Sequence, residues 1–251
     1  MADETPETLK VFIFGPARSG TSITYYATRD VFGLPGRGES HVFPIFQRLQ
    51  HQYFLYAKGF QENKGTLARE LNPREFKLHM QEYIRGFYAR TYKGESFVDK
   101  TPGAEAIQGA NFILEVFPDA RLVVTRRTGI EVVQSFRLKF AAGFEDACRA
   151  WTNCMAATLR MRERCPQMLE IDQYDLTNAP EQVAARLCAH FHRPEKTAEL
   201  ARYFSEQRTD KSSEHDWRHR LTLAGTSWND EEKDIFRRHC GATMQTFGYP
   251  M

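Results

Sequence analysis

The segment that most limits what this chain can fold into is KVFIFGPARSGTS, Lys10 to Ser22. Its first half, Lys10 to Gly15, is a short apolar run ending in glycine and reads as a buried strand. A glycine-bracketed turn follows, and a helical pattern runs on from about Thr21 to Phe32. Such a strand–loop–helix turn aims successive backbone N–H groups, and the positive end of the helix dipole, at one point where an anion can sit. Gly15 and Gly20 give the backbone room to curl around an oxyanion. The spacing is that of a phosphate loop, G-x-x-x-x-G-K-[ST], except that Thr21 holds the lysine position and the cation lies inside the loop, at Arg18.

Three further strands are predicted: SFVDK (Ser96 to Lys100), RLVVTRR (Arg121 to Arg127) and a run near Met168 to Ile171. Helical patterns alternate with them at about Ile130 to Phe140, Asp146 to Arg164 and Pro180 to Phe191. The rest, to about Cys240, is helical outside a polar loop, Thr209 to Trp217. Alternation of this kind predicts an α/β fold of P-loop type, a mainly parallel sheet flanked by helices. With 251 residues, no repeats and no linker, one domain over residues 1–251 is expected. Residues 41–92 carry aromatics at three- and four-residue spacing, so about 44–92 reads as a helical insertion.

The net charge of +2 argues against a nucleic-acid partner, so any cationic chemistry must be local. No stretch reaches the ~18 apolar residues of a membrane helix. The opening MADETPETLK is acidic where a secretory signal would be basic, and the five cysteines lack metal-ligand spacing. A reduced cytoplasmic protein without a membrane span is the expectation.

Nucleoside triphosphatases place a lysine on the phosphates and hold magnesium with the loop hydroxyl and a later aspartate. Here the third strand ends in Thr125-Arg126-Arg127, which is cationic. Arginines in that place suit an anionic donor that needs no metal. The plainer alternative is a helix N-terminus capped by Ser19 or Thr21, with no ligand.

FIFGPARSGTS resembles the 5′-phosphosulfate loop of the sulfotransferases that use 3′-phosphoadenosine 5′-phosphosulfate (PAPS), whose bacterial and Golgi (heparan-type) members carry versions of P-x-[RK]-[ST]-G-T-[ST]. VFPDARLVVTRRTGIEVVQSF (Val116 to Phe136) resembles the same family's 3′-phosphate segment, F-P-x-A-[KR], then an apolar strand, R-[DN]-P and a serine. Arg127 takes the arginine position and Ser135 lies eight residues on, while Thr128-Gly129 departs from the usual Asp-Pro. The resemblance implies that Ala17, Arg18, Ser19, Gly20, Thr21 and Ser22 hold one end of PAPS, and Arg127 with Ser135 the other. Adenosine 3′,5′-bisphosphate would be the product, with no metal involved. Two surface arginines at a strand end are the plainer reading of Arg126 and Arg127.

VDKTP (Val98 to Pro102) resembles the E-K-[TS]-[PA] segment of the Golgi members, whose lysine approaches the sulfate, so Lys100 joins Arg18 as a second catalytic cation and Asp99 replaces the glutamate. A solvated turn is the alternative. In GESHVF (Gly38 to Phe43), Glu39 matches the glutamate of K-E-x-H-F-F and is the candidate base. His41 competes with it, its ordinary pKa near 6.5 suiting a base. Glu39 paired only with Arg37 remains open. TDKSSEHDWRHR (Thr209 to Arg220) loosely resembles the late loop over the adenosine, making Lys211, Trp217 and Arg218 donor-site candidates, with a core-packed tryptophan as the alternative. Trp151 reads as a core aromatic.

The expected reaction is direct, in-line sulfuryl transfer to a hydroxyl or amine. The acceptor, a small molecule or carbohydrate, would meet the 44–92 insertion as a pocket wall or lid, unless its aromatics serve core packing or a homodimer surface. A P-loop phosphotransferase and a non-catalytic nucleotide-binding module are the rival readings.

Overall fold

All four predicted strands form, and all run parallel in one sheet. The computed structural model describes residues 8–93, 96–206 and 219–251. Strands β1 (Lys10–Phe14), β2 (Phe97–Lys100), β3 (Arg121–Arg126) and β4 (Leu169–Asp172) lie in the order β2-β1-β3-β4. The register pairs Ile13 with Lys100 on one side and with Val123 on the other. Between β1 and β2 come α1 (Thr21–Val31), α2 (Val42–Phe60) and α3 (Pro73–Tyr92). Between β2 and β3 lie the short α4 (Ala104–Gln108) and α5 (Ala110–Val116). Then α6 (Gly129–Phe140) and α7 (Phe144–Arg164) precede β4, and α8 (Gln173–Asn178), α9 (Pro180–His190), α10 (Thr197–Glu206) and α11 (Asp230–Thr246) follow it.

Alternate residues of the strands feed opposite faces, as the period of two requires. Phe12, Phe14, Phe97, Leu122 and Val124 pack beneath α3, α5 and α7. Val11, Ile13, Val98, Val123 and Ile171 pack under α1, α9 and α10. A third cluster joins α6, α7 and α11 around Trp151, Trp228 and Phe236. Trp151 is a core residue, as expected, and its indole N–H also donates to the Arg127 carbonyl at 3.0 Å.

Local signals fix the helix starts. Asn72 accepts from Arg74 and Glu75 N–H with Pro73 in the first turn, and Asn229 closes a capping box with Glu232. Thr128 caps α6 through the Glu131 N–H, a contribution of about 1 kcal/mol. The glycine after it has a packing reason, because a Cβ at Gly129 would lie 3.0 Å from the Trp151 ring. Thr128-Gly129 thus builds this turn without the Asp-Pro of the pattern the segment resembles. Among the described residues, no helix is long and apolar enough to cross a membrane.

The connection from β1 leads outward to β2, whereas β3 lies on the other side of β1 and leads on to β4. The direction reverses between β1 and β3. Open α/β sheets bind ligands beyond the carboxyl ends of the strands at such a reversal. Gly15 and Thr125 meet there.

Candidate functional site

The loop after β1 is welded to the end of β3. Ser19 is fully buried, its hydroxyl donating to Pro16 O at 2.7 Å and lying 2.8 Å from the Thr125 hydroxyl. Thr125 in turn donates to Phe14 O at 3.2 Å. Gly15 has φ +147°, and a Cβ there would stand 2.4 Å from the Thr125 carbonyl oxygen, so only glycine allows this approach. Gly20, at φ +93°, is the N-cap of α1, and among the described residues no side chain caps that end. The capping by Ser19 or Thr21 in the plainer alternative does not form: among the described residues the first-turn N–H groups of α1 have no side-chain acceptor.

Arg18 adopts φ 72°, in the left-handed region that a non-glycine residue enters at a cost of about 1–2 kcal/mol. That conformation carries its guanidinium across to α6, where Nε donates to Ser135 Oγ at 2.9 Å. Arg127 closes the same gap from behind, donating from Nη1 to the Arg18 carbonyl at 3.2 Å. The two segments read as separate anion cradles are thus contiguous. Arg127 is buried, and its Nε donates to Glu131 at 2.8 Å. The other carboxylate oxygen of Glu131 accepts the Leu221 N–H at 3.1 Å, so the chain returning at residues 219–221 is pinned beside Arg127. Arg126 points elsewhere, toward Glu170 at 3.4 Å. Ala17 and Ser22 are half-buried around the loop and Thr21 is buried in the first turn of α1. Lys211, Trp217 and Arg218 lie outside the described residues.

On the β2 side, residues 35–40 run beside the strand as an extra ribbon. The Val98 N–H donates to Pro35 O at 3.0 Å, Ser40 N–H to Lys100 O at 3.3 Å, and Glu39 bridges to Lys100. This ribbon brings Glu39, Lys100 and His41 together. Lys100 is buried, not in a solvated turn, and its ammonium donates to Glu39 Oε1 at 3.0 Å and Ser22 Oγ at 3.2 Å. It stands 6.0 Å over the Tyr25 ring. Glu39 Oε2 lies 3.2 Å from His41 Nε2, so its carboxylate meets Lys100 and His41. Partial burial pushes the Glu39 carboxyl up, but the Lys100 ammonium and then His41 outweigh it, and it titrates below the ordinary value of 4.5. His41 adopts φ 52°; among the described non-glycine residues only five have positive φ, and two of them are Arg18 and His41.

Sequence reasoning did not single out Thr125, Ser40 or Glu131. Glu131 had a signal, the i,i+4 spacing from Arg127 at a helix start. Ser40 and Thr125 are fixed by long-range register and had none. The insertion aromatics divide: Phe43, Tyr88 and Tyr92 are buried in the core, Tyr53 stacks on Phe76 at 3.8 Å, and Phe54, Tyr56 and Tyr83 are exposed.

A sequence model of the sulfotransferase family matches residues 10–197, which spans the loop, the ribbon, β2, β3 and Ser135. The chain belongs to the sulfotransferase family. This sulfotransferase is similar in fold to the sulfotransferase domain from the curacin biosynthetic pathway, with a TM-score of 0.57 at 16% identity over 97% of this chain and 99% of that one. The sulfotransferase domain from the Synechococcus PCC 7002 olefin synthase gives 0.54 at 17% over 99% and 98%. Sulfotransferase STF9 from Mycobacterium avium gives 0.53 at 14% over 98% and 78%. No curated protein matches the sequence.

Proposed function

We propose that this sulfotransferase uses PAPS as donor and carries its sulfuryl group directly to the hydroxyl of an acceptor with an apolar body. The observation that carries the reading is the contiguity of the two cradles, with Arg18 bonded to Ser135 at 2.9 Å and Arg127 to the Arg18 backbone at 3.2 Å. One nucleotide with phosphates at both ends of its ribose can therefore touch both. The donor set fits such a ligand: the side-chain-uncapped end of α1, the Arg18 fork and the Ser135 hydroxyl all favour anionic oxygens.

When bound, PAPS supplies a sulfuryl group activated by a phosphate leaving group. In our reading Glu39 takes the acceptor proton as the acceptor oxygen bonds to sulfur. Lys100 and Arg18 neutralise the equatorial and leaving oxygens as the sulfur–oxygen bond to phosphate breaks, releasing adenosine 3′,5′-bisphosphate. Lys100 already touches both Ser22 of the loop and Glu39, so it can trade the carboxylate for the donor without leaving its pocket. That trade also frees Glu39 from the charge that holds its proton affinity down. Arg127 and Ser135 hold the 3′-phosphate end, and Arg127 also braces the Arg18 backbone from behind.

For the acceptor, α2 is the favoured wall. Ile45 and Leu49 lie four and eight residues beyond His41, hence on its face of the helix, and are 58% and 46% exposed. From the Glu39–His41 pair this stripe runs about 12 Å, at ~1.5 Å of rise per residue. We assign the whole chain to one domain, with residues 44–92 as an acceptor-side insertion. We assign the reaction to the cytoplasm, consistent with five cysteines that are all free and buried.

The test is a pair of variants under calorimetry and turnover. Glu39→Gln should keep its affinity for adenosine 3′,5′-bisphosphate and lose roughly 100-fold in turnover, the scale of a positioned base. Arg18→Ala should lose both. Normal turnover in Glu39→Gln with collapse in His41→Ala would hand the base role to His41. Stabilisation by ATP–magnesium and not by the bisphosphate would make the protein a phosphotransferase.

A further inference from the structure

Between the base loop and the insertion lies a carboxylate that the mechanism above does not use. Asp99 is 4% exposed and sits on the face of β2 opposite Lys100, at the edge of the aromatic cluster of Phe12, Phe43, Phe97 and Phe117. A carboxylate there carries a heavy desolvation cost unless it is well bonded. Its partners are three hydroxyls. Ser40 donates to Oδ1 at 2.8 Å, Thr101 to Oδ1 at 3.4 Å, and Tyr88 to Oδ2 at 2.5 Å.

Each partner leads to something the reaction needs. Ser40 stands between Glu39 and His41 and donates its own N–H to the Lys100 carbonyl. Thr101 accepts the His41 N–H at 3.2 Å, fixing the residue whose φ of 52° starts α2. Tyr88 belongs to α3, in the insertion, and its ring packs on Phe97 at 4.9 Å and Phe43 at 5.8 Å. Lys100 is the next residue along β2. One buried carboxylate thus ties the Glu39–His41 loop, the Lys100 strand and the α3 helix together.

We propose that Asp99 is a positioning residue for sulfuryl transfer: it holds residues 39–41 in the register that sets Glu39 against the acceptor, and it links that register to α3. The inference rests on Glu39 as base, and it places Asp99's effect on turnover, not on donor binding. Burial raises the Asp99 carboxyl above its ordinary value despite the bonds from Tyr88 and Ser40, consistent with a group kept at a cost.

The experiment is a double-mutant cycle read by release of adenosine 3′,5′-bisphosphate from PAPS. With 2-naphthol present, this counts transfer to the phenol and to water alike. Asp99→Asn keeps the shape and should lower kcat between about 10- and 100-fold, the cost of a misplaced catalytic group. Its calorimetric affinity for adenosine 3′,5′-bisphosphate should stay unchanged. In the Glu39→Gln background the same change should cost no more than about 3-fold, because a residue acting through Glu39 has nothing left to position. Should Asp99→Asn fail to fold, Ser40→Ala and Tyr88→Phe each remove one bond to the same carboxylate and enter the same cycle. Losses that multiply in the double variants, or a kcat that stays at the wild-type level in the single ones, overturn the proposal. Wild-type turnover in Glu39→Gln would overturn the base assignment and this inference with it, whereas a slow Glu39→Gln with multiplying losses removes this inference alone.

Discussion

Replacing Gly15 with alanine tests the loop by adding one methyl group, which would also stand 2.8 Å from the buried Ser19 hydroxyl. Two costs add. The backbone is held at φ +147°, where an L-residue is strained by about 1–3 kcal/mol. The new Cβ would meet the Thr125 carbonyl oxygen at 2.4 Å and its hydroxyl at 2.5 Å. The carbonyl belongs to β3 and cannot rotate away, so overpacking adds about 1–3 kcal/mol. The sum, about 2–6 kcal/mol, corresponds to a fall in Tm of roughly 5–20 °C for a chain of this size. Gly33→Ala separates the terms, since Gly33 has φ +62° but nothing within 4 Å, leaving only about 1–2 kcal/mol of backbone strain. Thermal unfolding with and without adenosine 3′,5′-bisphosphate reads both variants. In the wild type a ligand at 100 times its Kd adds about 2.7 kcal/mol, and that increment should shrink in Gly15→Ala and persist in Gly33→Ala. If Gly15→Ala melts no lower than Gly33→Ala and keeps the full ligand increment, then Thr125 does not set the loop, and the loop after β1 is not welded to β3.

Three further outcomes follow from the same geometry. The proposed base role needs Glu39 ionised, so kcat/KM should fall only as pH drops below 4.5, and Lys100→Met should move that acid limb to higher pH, because burial then acts without its main counterweight. His190, whose Nε2 lies 3.1 Å from Leu122 O, is pushed down to about 4 by burial, so it stays neutral in the fold while the unfolded chain takes up a proton below 6.5. Stability should decline between pH 6.5 and 4 by at most about 3 kcal/mol, and His190→Gln should flatten urea midpoints across that window. Leu49→Glu should raise KM for a long alkyl alcohol such as 1-decanol far more than for ethanol, with bisphosphate affinity unchanged; equal effects on both alcohols would remove α2 from the acceptor path.

What could be read from the sequence was whatever one element decides by itself. β1 and its loop were legible because an apolar run, two glycines and a helix start are local, and β3 because Arg121 to Arg126 is apolar between charged ends. Strand order was not, since nothing in a strand's own residues says that β3 lies on the far side of β1. The same limit divides the site. Arg18, Arg127 and Ser135 could be matched by spacing, yet the contact that matters, Arg18 to Ser135 across 117 residues, depends on how α6 leans over the loop. Asp99 was visible only as a departure from a motif. Its role depends on three hydroxyls 59, 11 and 2 residues away, two of which reach it through register and helix packing. A buried strand carboxylate beside a lysine has an ambiguous sequence signature: alternation sends the two side chains to opposite faces, so adjacency in the chain argues against an ion pair. Here it separates the labour, with Lys100 turned to the loop and Asp99 to the insertion. The short β2 therefore joins the loop after β1 to the insertion, and under the proposed function a change in the packing of α3 would reach Glu39 through Tyr88, Asp99 and Ser40 without passing through that loop.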